Sequence, residues 1–181
     1  MWKIVILVLV VLVVLVVLVV GVLVVASMRP NDFSVQRSVG IQAPPEKIFP
    51  MIDDFRQWPA WSPWEKLDPT MKRTLSGAAS GVGAVYAWDG SGKVGAGRME
   101  IKEAMVPSKI GIQLDFIKPF EGHNIADFTL APNGQSTEVI WRMRGPAPFV
   151  SKLMGLFFDM DAMIGKDFEA GLANLKAAAE K

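Results

Sequence analysis

The sequence predicts an α+β protein: an antiparallel sheet of about seven strands, one long C-terminal helix, and one transmembrane helix ahead of both. Three observations carry this reading. Ile4 to Ala26 is almost unbroken Ile, Leu and Val. From Met71 to Met143, apolar residues recur at every second position between turn residues, the period of strands with one buried face. From Phe149 to Lys176 they recur at steps of three and four, the period of a helix with one apolar stripe.

The chain has 181 residues and is 51% hydrophobic, with a mean hydropathy of +0.31, high for a soluble domain. Much of the excess sits in Ile4 to Ala26. This divides the chain into an anchor (1–28), a linker (29–32) and one domain (33–181) with an ordinary core. A net charge of +1 supplies no field for nucleic acid or another acidic partner. The absence of cysteine removes disulfides, thiol nucleophiles and thiolate metal sites together.

As a helix, Ile4 to Ala26 spans roughly 35 Å, enough for the hydrocarbon core of a bilayer. Trp2 and Lys3 at one end and Arg29 at the other stand at the two interfaces. A cleavable signal peptide is the competing reading, with Val24-Val25-Ala26 as cleavage site, but its apolar core is ordinarily about 7–15 residues. Arg29 to Asp32 links the anchor to a strand in which Phe33, Val35, Val39 and Ile41 are the apolar positions. Ala43-Pro44-Pro45-Glu46 opens a short helix, with Ile48, Phe49 and Ile52 as its buried face. Trp58, Trp61 and Trp64 are too costly to leave in water, so the proline-fixed turn ending at Glu65 packs on something. Six strands come next: Met71 to Leu75, Ala84 to Trp88, Gly97 to Met105, Lys109 to Phe116, Asn124 to Leu130 and Thr137 to Met143. Asn133-Gly134 between the last two is a hairpin signal. The terminal helix presents Leu153, Phe157, Met160, Ile164 and Phe168 inward and Asp161 to water.

In this order the chain resembles the START-like helix-grip (SRPBCC) superfamily, and locally its polyketide cyclase/dehydrase-like branch, which includes members with an N-terminal membrane anchor. The residues carrying the likeness include Val35-Gln36-Arg37-Ser38, Ala43 to Phe49, Trp58 to Glu65, Gly81-Val82-Gly83 and Tyr86-Ala87-Trp88. Phe116 to Phe120, Val139-Ile140-Trp141 and Met163 to Glu169 complete it. The resemblance implies a curved antiparallel sheet gripping the C-terminal helix around an apolar cavity. Members of the superfamily include lipid carriers and enzymes, and the cyclase label is a family name.

His123 is the only histidine, which excludes a two-histidine iron site and, without cysteine, leaves none of the usual Cys/His ligand sets for zinc. No nucleophile-elbow sequence accompanies it. Neither Gly81-Val82-Gly83 nor Gly90 to Gly97 carries the Gly-Lys-Ser/Thr pattern and the helix of a phosphate loop, and both read as turns and a bulge. Asp115 and Glu100 alternate against the apolar strand positions and point outward. Glu103 shares parity with Met99, Ile101 and Met105 and is the carboxylate expected to face inward. No catalytic residue, metal ligand or cofactor is assigned. The expected ligand-lining residues are Tyr86, Trp88, Ile112, Leu114, Phe116, Phe128 and Trp141 from the sheet. Phe157, Met160, Ile164 and Phe168 join them from the helix. The function expected is a membrane-anchored binder or carrier of hydrophobic small molecules or lipids. Its rivals are a small cyclase or dehydratase using Glu103, Tyr86 or His123 as proton carrier, and a structural domain with a solid core.

Overall fold

The computed structural model describes residues 1–92 and 94–181. Its elements are α1 (Trp2–Ser27), β1 (Asp32–Ile41), α2 (Pro45–Asp53), two 3₁₀ turns (Phe55–Ala60 and Pro63–Lys66), β2 (Lys72–Gly77), β3 (Ala84–Asp89), β4 (Ala96–Met105), β5 (Lys109–Lys118), β6 (Gly122–Asn133), β7 (Ser136–Pro146), α3 (Phe149–Met154) and α4 (Met160–Ala179). The chain divides into two compact units. One holds Met1–Phe33 and Ala147–Asp159, the other Ser34–Pro146 and Met160–Lys181.

The second unit is built on a curved antiparallel sheet in the order β1-β7-β6-β5-β4-β3-β2. From β2 to β7 sequence neighbours are sheet neighbours, because short connections leave no other option. The β6–β7 hairpin closes at Asn133↔Ser136, with Gly134 in the left-handed region at φ +63°, as its sequence requires. β1 and β2 form opposite edges, so the segment between them crosses the sheet. That crossing carries α2 and both 3₁₀ turns over the concave face. Ile48 and Ile52 are 0% exposed there, and Trp58 and Trp61 meet Phe128 at 6.4 and 6.0 Å between ring centres. The indole N–H groups of Trp58 and Trp61 donate to the carbonyls of Ile52 (2.9 Å) and Met51 (2.8 Å), which α2 leaves unmatched at its C-terminal end.

Two expectations are corrected. The single helix from Phe149 to Lys176 is two helices, α3 and α4. Gly155 ends α3, where glycine costs about 1 kcal/mol relative to alanine in a helix interior. Asp159 precedes α4 and Asp161 lies in its first turn, where acidic residues favour a new helix start. The apolar stripe stays in phase across the break, so its period conceals it. Consequently Phe157 lies in the first unit and is 70% exposed, while Met160 is 40% exposed. Neither takes the inward position expected of it, and the buried stripe of α4 is Phe168, Leu172, Leu175 and Ala179. The second correction concerns Glu103. Ile101 pairs with Ile112, but Glu103 pairs with Gly111, so Lys102 is an extra residue at a register shift. Such a bulge reverses the parity of every later residue in the strand. Glu103 therefore faces the convex side, where Lys109 Nζ lies 2.7 Å away.

The glycines of α4 mark close approaches. A Cβ on Gly171 would stand 2.8 Å from Trp141 Cζ3 and 3.0 Å from Pro63 Cδ. One on Gly165 would overlap the Arg37 guanidinium, which reaches across the helix to Asp161 (2.9 Å) and Glu169 (2.7 Å).

In the first unit, α1 is long and apolar enough to cross a membrane. α3 packs against it, and Ala26 is its one buried residue.

A graded concave face as candidate functional site

Pairing register arranges the inward side chains of the sheet in rows that run across the strands. The first row contains Ile110, Phe128 and Trp141. Ile101, Ile112, Ala126 and Met143 form the second, then Tyr86, Met99, Leu114 and Asn124 the third. Trp88, Gly97 and Phe116 make the fourth. Cover falls steadily along this series. Phe128 and Trp141 are 0% and 2% exposed, Met143 7%, Leu114 9%, and Trp88 and Phe116 are only half-buried.

The closed end is an aromatic stack. Trp141 lies flat on Phe168 (4.1 Å, 4°) and on Phe128 (4.8 Å, 28°). Trp61 and Trp64 meet its edge at 5.7 and 5.6 Å. Each such pair contributes about 0.5–1.5 kcal/mol beyond its burial. Every ring in this half of the interior is in contact with another. The indole nitrogen of Trp141 has no hydrogen-bond partner among the described residues; it lies on the ring edge opposite Cζ3, away from Gly171.

At the open end Trp88 is pinned. Its indole N–H donates to Val94 O (3.0 Å), and its six-membered ring covers Gly97 so closely that a Cβ there would collide with it. Phe116 meets it edge to face at 5.9 Å and Tyr86 lies 6.3 Å away. Ile164, one turn before Phe168 on α4, is also half-buried.

One polar cluster borders this face, and the sequence did not disclose it. Tyr86 Oη donates to Glu65 Oε1 (2.6 Å) and Arg73 Nε to Glu65 Oε2 (2.6 Å). The Glu65 side chain is only 7% exposed. Burial, with the Glu65 carboxylate beside it, holds the Tyr86 hydroxyl well above the ordinary phenol range, so it remains a donor. In sequence Glu65 is only the end of a turn, since nothing local announces a partner on β2 or β3. Asp68 fastens the neighbouring loops: it accepts from Ser91 N (2.7 Å), Thr70 N (3.0 Å) and Thr70 Oγ1 (2.7 Å).

The other candidate proton carriers lie elsewhere. His123 pairs with Asp115 across β5 and β6 (2.8 Å) and its side chain is 69% exposed. Asp115 stands opposite Arg98 in register, on the face away from Leu114 and Phe116. No three His, Cys, Asp or Glu among the described residues gather as metal ligands. A separate groove of about 160 Å³ is lined by Phe55, Leu75, Ala84 and Val85, below the roughly 300–1,000 Å³ of small-molecule sites.

A family model described as polyketide cyclase / dehydrase and lipid transport matches residues 32–180. The chain belongs to this family. The polyketide cyclase/dehydrase and lipid transport family thus covers the whole sheet and α4. Among solved structures the chain is similar to a Chromobacterium violaceum protein, at 16% identity and TM-score 0.59 over 84% of this chain and 99% of that one. The Aha1 dimer from Colwellia psychrerythraea is similar at 19% identity and TM-score 0.59, over 82% of this chain and 96% of that one. The di-domain ARO/CYC BexL from the BE-7585A biosynthetic pathway matches at 14% identity and TM-score 0.60, over 87% of this chain and 53% of that one. Identities this low establish the helix-grip fold alone. No curated protein matches the sequence significantly.

Proposed function

We propose that the chain is a membrane-anchored binder or carrier of hydrophobic small molecules or lipids, with α1 as the anchor. The ligand sits on the concave face at its open end. The observation that carries this is the graded cover: a sheet face sealed by stacked aromatics at one end leaves pinned, half-buried Trp88 and Phe116 at the other. The ligand surface narrows accordingly to Tyr86, Trp88, Leu114, Phe116 and Ile164. Phe128, Trp141 and Phe168 act as its floor, Ile112 lies beneath it, and Phe157 and Met160 take no part. The family description, which names lipid transport, agrees with this chemistry. A ligand removing about 250 Å² of apolar surface from water gains about 6 kcal/mol at about 25 cal/mol per Å², a dissociation constant of tens of micromolar.

A cyclase or dehydratase keeps one supporting observation, the Tyr86 hydroxyl held against a nearly buried carboxylate. The two readings separate in one experiment. An apolar fluorescent probe titrated into the full chain in detergent should bind and be displaced by phospholipid. Trp88→Ala and Ile164→Trp should weaken it, and Glu65→Gln should leave it within twofold. Failure of the probe to bind sinks the binder reading, and a turnover lost in Glu65→Gln installs the enzyme in its place.

A further inference from the structure

The first unit carries an apolar surface that ligand binding on the sheet does not use. Residues 149–158 read Phe-Val-Ser-Lys-Leu-Met-Gly-Leu-Phe-Phe, with Lys152 the only charge. Phe149, Val150, Met154, Phe157 and Phe158 are 46%, 61%, 41%, 70% and 56% exposed. So many large apolar side chains in one short stretch are rare on a water-facing surface. The segment, with Ala147 just before it, is tied to the residues that follow α1. Ala147 N donates to Asn31 O (2.6 Å) and Lys152 Nζ to Asn31 Oδ1 (2.5 Å). A Cβ on Gly155 would stand 3.4 Å from Arg29 Nη1. Within α1, Val16, Val17 and Leu18 are 60%, 63% and 60% exposed, whereas Val22, Leu23 and Ala26 are 37%, 40% and 0%. α3 is therefore level with the last turns of α1.

We propose that residues 149–158 lie in the headgroup–acyl boundary of the bilayer that α1 spans, as a second, interfacial attachment. The proposal rests on α1 being a membrane span. Its occupant follows from continuity: the exposed face of the segment adjoins the apolar surface of α1 at the height where the helix leaves the hydrocarbon. α1, at about 1.5 Å per residue, is about 39 Å long against a core of about 30 Å, so its final turns reach the interface. Phenylalanines suit the boundary of an interfacial segment, and Lys152 and Arg29 reach the phosphates while their stems stay in apolar surroundings.

The chain has no cysteine, so single cysteines report without background. Phe149→Cys, Phe157→Cys, Val14→Cys in α1 and the exposed Glu138→Cys of β7 would each carry an environment-sensitive fluorophore. The full chain is placed in vesicles of phosphatidylcholine and phosphatidylglycerol. The Phe149 and Phe157 sites should be quenched by lipids with a nitroxide near the headgroup, and by aqueous iodide several-fold less than the Glu138 site. Iodide quenching equal to that at Glu138, with Val14 still quenched by a deep nitroxide, overturns the interfacial attachment and leaves the anchor standing. Protection of the two sites from both quenchers overturns it in favour of a protein contact. A Val14 site open to iodide removes the anchor and this proposal with it.

Discussion

Replacing Gly171 by alanine tests how solid the closed end of the interior is. Alanine is the better helix former by about 1 kcal/mol, so on local grounds the substitution should stabilise α4. Its methyl, however, enters at 2.8 Å from Trp141 Cζ3 and 3.0 Å from Pro63 Cδ, where carbon contacts prefer about 3.5–4.0 Å. Trp141 has nowhere to go, with Phe168 stacked at 4.1 Å, Phe128 at 4.8 Å and two further indoles at its edge. Overpacking by one methyl in such a place costs about 1–3 kcal/mol. The expected net effect is a loss of about 1 kcal/mol, or about 2–4 °C in melting temperature for a protein of this size. Gly165→Ala is the internal control. There the obstacle is the end of the Arg37 side chain, which can swing aside, and the ion pairs it gives up face exposed carboxylates on Asp161 and Glu169 that contribute little. Guanidinium denaturation of both variants in detergent, followed by tryptophan fluorescence, reads the difference. A Gly171→Ala protein as stable as its parent, or more so, refutes the sealed stack.

Phe168→Ala should cost about 3–5 kcal/mol, because the ring is 1% exposed. Met160→Asp should cost less than about 0.5 kcal/mol, since Met160 is 40% exposed, and similar losses in the two melts would contradict the α4 assignment. Asp161→Asn removes a carboxylate that accepts from both terminal nitrogens of Arg37; a small loss at low salt should disappear at high salt. Ser91 and Thr70 donors hold the Asp68 carboxyl below its usual range. Its contribution is therefore present above about pH 4 and fades as pH falls through the lowered value, so Asp68→Asn should flatten the acid limb of a stability profile. The Asp115 carboxylate raises His123. That contribution is complete below about pH 6.5 and fades as pH rises through the raised value, so His123→Gln should flatten the neutral limb instead.

The strands were legible because alternation and short turns are local signals: each of the six expected after Met71 forms within a few residues of its expected ends. The same logic placed Tyr86, Trp88, Leu114, Phe116, Phe128 and Trp141 on one face, and the pairing register puts them there. It failed at Glu103 because parity counting assumes an unbroken ladder, and one extra residue at Lys102 reverses it. It failed at Gly155 to Asp159 because an apolar stripe can continue in phase through a helix break. The Tyr86–Glu65–Arg73 cluster was out of reach for another reason. Its members lie 8 and 21 residues apart, and only the crossing of the sheet by the two 3₁₀ turns joins them. Periodicity likewise treats a fully buried residue such as Trp141 and a half-buried one such as Trp88 as equals; what distinguishes them is the depth at which α2 and α4 cover the sheet.

Whether the open end of the concave face holds a hydrophobic molecule can be read by native mass spectrometry of the full chain, released from its membrane in mild detergent. A binder should show a second species heavier by one lipid-sized mass, retained in Phe157→Asp and lost in Ile164→Trp. A spectrum of unliganded chain alone, or an adduct that survives Ile164→Trp undiminished, would contradict the proposed site.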